Sequence, residues 1–233
     1  MEKVICLLWR DEHEDRAAFN TSLLEHLPGA LAAAGATNIR LNLEDGIVAR
    51  GAHLRQTRGT VQHDAVAQFW LPSANALFRA GVDAALDACC DRWTGWVVAE
   101  STIIANTLHP ACPGQRTAGW AQMAFLTVPQ DMTHGEWLER WQGDHTLVAI
   151  ETQSNFEYVQ NVIVRALQEG SPPYAAIVEE CFPEAALTDP FTFFDAPGDP
   201  AGFKANLDRM MASCDRFIAP GTIDVIPTGQ YTY

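Results

Sequence analysis

No GxSxG elbow, phosphate-cradling glycine loop, HExxH pair or HxH pair occurs in this 233-residue chain, and its six cysteines show no CxxC spacing. Those absences argue against a serine hydrolase, a P-loop nucleotide enzyme and a zinc site built from local ligands. Basic residues are also few: 15 Lys and Arg stand against 29 Asp and Glu, a formal net charge of −14. Such a surface repels phosphate backbones and anionic headgroups, so neither nucleic acid nor a membrane is expected as partner. No apolar run reaches the roughly 20 residues that a membrane-spanning helix needs. Met1-Glu2-Lys3 leads directly into a strand-like segment rather than a signal peptide. Cys89 and Cys90 are neighbours in a helix-like stretch, where they cannot easily bridge each other, so a reduced, cytoplasmic chain is expected. Neither a metal nor another cofactor is expected. The seven histidines are scattered, and although a helix histidine such as His145 could ligate haem, no second feature supports it.

What is present is an echo. His26 is followed thirteen positions later by Ile39 and sixteen later by Asn42; His145 is followed at the same distances by Tyr158 and Asn161, an offset of 145 − 26 = 119. An acid, Glu25 or Asp144, precedes each histidine. Leu71-Pro72-Ser73-Ala74 parallels Phe182-Pro183-Glu184-Ala185, and Cys90-Asp91-Arg92-Trp93 parallels Cys214-Asp215-Arg216-Phe217. Four echoes in one order, separated by loop-sized changes of offset, point to an internal duplication. With 48% hydrophobic residues the chain can bury one large or two small cores, and the expected halves are 1–110 and 111–233, with the linker at His109 to Gln115.

Each half reads as strand, helix, strand, strand, helix, strand. In the first, Val4 to Leu8 is a short apolar run, and Phe19, Leu23, Leu27 and Leu31 are spaced by four on a helix that Pro28-Gly29 should kink or split. Ile39, Leu41 and Leu43 alternate with Arg40 and Asn42 as in a half-buried strand. A polar stretch from Glu44 to Gln62 precedes a strand over Ala65 to Leu71; a helix then starts at Pro72-Ser73 and runs through Leu77 and Leu86 to Cys90, before a strand at Trp96 to Val98. The second half reads as a strand over Trp120 to Val128, a helix over Thr133 to Ile150, strands over Phe156 to Leu167 and Tyr174 to Phe182, a helix capped by Asp199-Pro200, and a strand over Thr222 to Ile226. This order is the ferredoxin-like split βαβ unit, which leaves one sheet face bare. Two tandem units can cover each other, so the expected class is α+β, an α+β barrel of antiparallel sheets backed by helices.

Trp137, Trp141, Asp144-His145, Tyr158-Val159-Gln160-Asn161 and the strand ending Glu179-Glu180-Cys181-Phe182 resemble EthD-like proteins of the dimeric α+β barrel superfamily. The His-x-Pro usual in EthD-like sequences survives as His26-Leu27-Pro28 but becomes His145-Thr146-Leu147, whereas the tyrosine survives as Tyr158 and becomes Ile39 in the first half. The resemblance implies a homodimer and a role with a small molecule in a catabolic or biosynthetic pathway, with cofactor-independent cyclases, isomerases and monooxygenases among related barrels. Trp93, Trp96, Trp120 and Trp141 add apolar surface that favours self-association.

His145, whose imidazole titrates near neutrality, is the expected acid–base, with Tyr158 donating to a developing enolate and Glu179 as a second base or an orienting carboxylate. Gln160 shares Tyr158's strand face, while Asn161 points the other way and ties down backbone. Trp137, Trp141, His26, Arg50 and Phe193 complete the expected substrate contacts, with His26 set against Ile39 and Leu41. Two insertions break the symmetry. The first half has eight extra residues between Asn42 and Pro72, carrying Arg50, Arg55 and Arg58, and the second has thirteen between Pro183 and Cys214, carrying Phe191, Phe193 and Phe194. Loops of that kind often act as lids. The expected activity is proton transfer on a small apolar or aromatic compound; the alternative is a non-catalytic binding or accessory protein of the same fold.

Overall fold

The run Val4 to Leu8 is buried throughout because β1 (Glu2–Trp9) is covered on both faces. Val4, Cys6 and Leu8 pack toward helices, while Ile5, Leu7 and Trp9 point into a closed interior. The computed structural model describes residues 1–59 and 62–233. In the first unit, β1, α1 (Arg16–Ala33), β2 (Thr37–Leu43), β3 (Ala65–Leu71), α2 (Ala80–Asp87) and β4 (Arg92–Ile104) form a sheet in the order β4-β1-β3-β2. In the second, β5 (Trp120–Leu126), α3 (His134–Leu138) with α4 (Thr146–Thr152), β6 (Glu157–Ala166), β7 (Ala176–Phe182), α6 (Pro200–Cys214) and β8 (Asp224–Thr232) give β8-β5-β7-β6. A short helix, α5 (Pro190–Phe193), lies between β7 and α6. Each set has the β-α-β-β-α-β element order of a ferredoxin-like unit. The two units meet edge to edge, β2 on β8 and β4 on β6, and close one eight-stranded antiparallel barrel. Among the described residues, closure pairs each barrel strand on both of its edges.

The barrel interior has two zones. One is apolar, built from Ile5, Leu7, Trp96, Phe125, Ile177 and Ile226. The other is a polar lock between the units. Arg40 on β2 donates to Glu179 at 2.6 Å and to Glu157 at 2.9 Å. Asn42 and Gln68 donate to Glu179 at 2.7 and 2.9 Å, and Gln230 reaches both carboxylates at 2.9 Å. Lys3 donates to Asn161 at 2.9 Å, and Asn161 in turn donates to the Ile177 carbonyl at 3.1 Å, the backbone tie expected of it.

Several expectations need correction. α1 runs unbroken from Arg16 to Ala33 with Pro28 inside it. A proline there strips the carbonyl four residues earlier of its partner, and that carbonyl, on Leu24, accepts the Tyr233 hydroxyl at 3.3 Å instead. The helix expected from Pro72 is shorter, Ala80–Asp87. Ser73 and Asn75 accept the backbone N–H groups of Asn75 and Leu77, so local side-chain turns compete with the helix. The polar stretch after Glu44 holds a 3₁₀ turn, Val48–Leu54; its residues 60 and 61 lie outside the described residues. Trp93, Trp96, Trp120 and Trp141 are all buried within the chain. All six cysteines are free, and among the described residues no helix is long and apolar enough to cross a membrane.

Candidate functional site

The helix that opens the second unit is not regular. A capping box of Thr133 and Glu136 starts α3, but Glu139–His145 winds as a π-helix before α4 resumes at Thr146. A π turn takes an extra residue and shifts the phase of everything after it; such turns recur at functional sites. Here the turn carries both Trp141 and His145 inward. In α1 the inward positions belong to Phe19, Leu23, Leu27 and Leu31, and His26 is exposed on the outer surface near Ser22 and Glu25. The two histidines share a sequence offset and not an environment: His26 does not face Ile39 and Leu41.

Between the second unit's sheet and its helices lies a cavity of about 770 Å³. Apolar and aromatic side chains make most of its wall, among them Trp141, Val178, Phe193, Phe194, Met210 and Phe217. Among the described residues six titratable groups line it, His53, His145, Tyr158, Glu180, Cys214 and Asp215, and three of them, His145, Tyr158 and Glu180, are buried. Tyr158 and Glu180 are direct cross-strand partners on β6 and β7, and Gln122 on β5 pairs with Glu180 on its other side. The row therefore crosses three strands on the face that looks at the helices.

Each group is tuned by its surroundings. Burial pushes the Glu180 carboxyl up to about 7, against weaker hydrogen bonds from Asn155 at 3.2 Å and Gln122 at 3.3 Å. Burial pushes His145 down to about 4, so its ring is neutral near pH 7. Its Nδ1 lies 2.9 Å from the Ser213 hydroxyl, which leaves Nε2 for a molecule in the cavity. Burial also raises the Tyr158 hydroxyl above its ordinary value. Gln160 donates to the Tyr158 oxygen at 2.8 Å and to Thr146 at 2.8 Å, so the phenolic proton stays available as a donor.

The strand carboxylate that faces this cavity is Glu180, not Glu179. Successive strand residues alternate faces, and Glu179 points into the barrel, fully buried. Burial opposes its charge, but the Arg40 guanidinium and hydrogen bonds from Gln230, Asn42 and Gln68 hold its carboxyl down at about 2. A group so committed is a poor base. Gln160 stands behind Tyr158 rather than in the cavity wall, and Trp137 is fully buried, with its indole N–H on the Phe217 carbonyl at 3.2 Å. Arg50 is exposed and paired with Glu184 outside the cavity. Exposed pairs contribute at most about 1 kcal/mol. Arg50→Ala is accordingly expected to move a urea melt by less than that and to leave ligand affinity unchanged; a tenfold loss of affinity would put Arg50 back among the binding groups.

The two insertions cover the cavity. His53, Leu54 and Gln56 from the first unit and Leu187, Pro190 and Phe193 from the second all line it. Among the described residues no lysine or arginine does, so nothing there complements a carboxylate or phosphate. The length of the first insertion was the sequence signal for its role, and its arginines were the misleading part.

Comparison with known proteins agrees with this architecture. Residues 129–220, which contain the π turn, Tyr158 and Glu180, match the EthD domain. The whole chain is similar in structure to an anthrone oxidase-like protein, with a TM-score of 0.57 at 13% identity over 99% of this chain and 92% of that one. It is also similar to a candidate monooxygenase from Fusobacterium nucleatum subsp. nucleatum, with a TM-score of 0.50 at 6% identity over 99% of this chain and 91% of that one. No curated protein sequence matches the chain. At such identities the likeness speaks for fold alone: an α+β barrel closed by the strands of one chain.

Proposed function

We propose that the EthD-like second unit is a cofactor-independent proton-transfer site for an uncharged, largely apolar ring compound bearing a carbonyl or phenolic oxygen. One observation carries the reading: a carboxyl at about 7 shares an apolar cavity with a neutral imidazole and a phenol. A general base works best when its pKa lies near the working pH. Glu180 meets that condition and His145, at about 4, does not. The roles therefore shift from those the sequence suggested. Glu180, as carboxylate, takes the proton from a carbon beside a substrate carbonyl. The C–H electron pair moves into the ring system and leaves an enolate oxygen. Tyr158 donates its phenolic proton in a hydrogen bond to that oxygen. With Ser213 donating to Nδ1, His145 carries its proton on Nε2 and donates there as well. Return of the proton from Glu180 regenerates the ketone or delivers an isomer.

The chain, on this proposal, is a fused pair descended from a duplication, in which the second unit keeps the site and the first completes the barrel. The internal pairing takes the place of the homodimer that the sequence suggested. The expected light-scattering mass is therefore near 25.6 kDa, the mass of one chain, at every concentration; a mass twice as large would restore the homodimer.

The test uses 2-tetralone, a benzo-fused cyclic ketone whose benzylic C–H bonds beside the carbonyl are acidic, incubated with the protein in D₂O and followed by proton NMR. The reading expects catalysed exchange that rises with pH, turns over near pH 7 and is level above it. Exchange no faster than buffer alone, with the ketone bound, would favour a binding protein without chemistry.

A further inference from the structure

The first unit's own helix–sheet interface is filled by buried apolar side chains. Phe19, Leu23, Leu27 and Leu31 are at most 1% exposed and pack on Ile39 and Leu41, where the second unit has its cavity. Yet the first unit reaches that cavity through its insertion. We infer that this insertion, with Leu54 as its working side chain, is the wall that selects ligands by size in the second unit's site. The inference rests on the reading of the cavity as a ring-compound site.

Four observations say that the segment is seated rather than draped. Its backbone joins the second unit's sheet at Gln56, which exchanges two hydrogen bonds with Val225, at 3.0 and 2.9 Å. Val48 is fully buried in a cluster with Trp120, Phe182 and Leu187, and Leu54 packs against the same cluster while lining the cavity. Gly51 lies so close to the second unit that a Cβ there would stand 2.5 Å from the Leu187 Cδ2 atom. Arg50 pairs with Glu184, which tethers the segment at the surface. A wall held at that many points cannot swell freely to admit a larger ring. Leu187, itself a cavity residue, sits where the two insertions touch, so a change in one is transmitted to the other.

An apolar wall discriminates by volume, and one methylene group in such a pocket is worth about 10–200-fold between ligands. The probes are phenol, 2-naphthol and 9-phenanthrol, which carry one, two and three rings, with affinities read by fluorescence titration of the full chain. Leu54→Ala is expected to improve 9-phenanthrol relative to phenol by about tenfold or more. Leu54→Trp is expected to reverse that order, and Gly51→Ala to act in the same sense as Leu54→Trp by pushing Leu187 inward. Circular-dichroism melts identify any variant that has simply unfolded. Ratios unchanged in the folded variants, with binding intact, would overturn the inference alone. No saturable binding of any probe to the wild-type protein would overturn it together with the ring-compound reading. Size ratios that shift in the variants as expected, with no isotope exchange by the wild-type protein, would support the wall and sink the proton-transfer chemistry.

Discussion

Arg40→Ala is expected to destabilise the protein by about 3–5 kcal/mol, because it strands two buried carboxylates without their counter-charge. Arg40 is the bridge between Glu157 and Glu179, at 2.9 and 2.6 Å, and it crosses from the first unit to the second. Against a typical total of about 5–15 kcal/mol, such a loss threatens the fold at ordinary temperatures. The pH dependence gives the prediction its sign. Glu179 sits at about 2 in the folded protein, below its ordinary 4.5. Its contribution is therefore fully present above pH 4.5 and is lost as pH falls toward 2. The deficit of Arg40→Ala should be largest in urea melts at pH 7 and should shrink toward pH 3. An additional Glu179→Gln change should recover part of the loss at pH 7, since it removes one of the stranded charges. Equal deficits at both pH values would mean that Arg40 acts through packing rather than charge.

That lock was half legible in the sequence. The alternation of Ile39, Leu41 and Leu43 with Arg40 and Asn42 identifies a strand with one apolar and one polar face. A polar face ordinarily looks at water. Here it looks inward, because β2 pairs with β8 and the barrel closes over it, and strand pairing across more than a hundred residues leaves no local trace. The same limit explains Glu179 and Glu180. Two adjacent glutamates on one strand must face opposite ways, but which one meets Tyr158 depends on the register of β6 against β7. Spacing and resemblance single out Tyr158 and His145, and the structure places both side chains in the cavity wall. What spacing could not supply was the π turn, with which the echo between His26 and His145 ceases to be an echo in space. The strand-helix-strand-strand-helix-strand order of both units was legible, because it depends on local periodicity, while α5 and the π turn were not.

Glu180→Gln is expected to lower the exchange rate by about 10²–10⁴-fold, the usual range for losing a general base, while the bound probe is retained. The same substitution should stabilise the protein in alkaline solution. A carboxyl held at about 7 in the fold but near 4.5 when unfolded favours unfolding increasingly as pH rises through that interval. The penalty is absent below pH 4.5 and complete above pH 7. Glu180→Gln removes it, for a gain of up to about 3 kcal/mol at pH 8 that vanishes near pH 4. A catalyst more stable without its base would fit the general conflict between burying a charge and using it. His145 titrates in the opposite sense over much of the same range, since its folded value of about 4 lies below its unfolded 6.5. The wild-type stability curve thus blends the two, and the difference between wild type and Glu180→Gln isolates the glutamate's part. A Glu180→Gln protein that kept its exchange rate would transfer the role of base elsewhere.

The most direct test is the titration of the Glu180 carboxyl itself. Protein labelled with carbon-13 at glutamate side-chain carboxyls gives one resonance that disappears in Glu180→Gln and so identifies the group. Its shift, followed from pH 3 to pH 9, should move with a midpoint near 7, displaced on addition of 2-naphthol. A midpoint near 4.5, indifferent to the ligand, would mean an ordinary solvated carboxylate and would contradict the site proposed for this cavity.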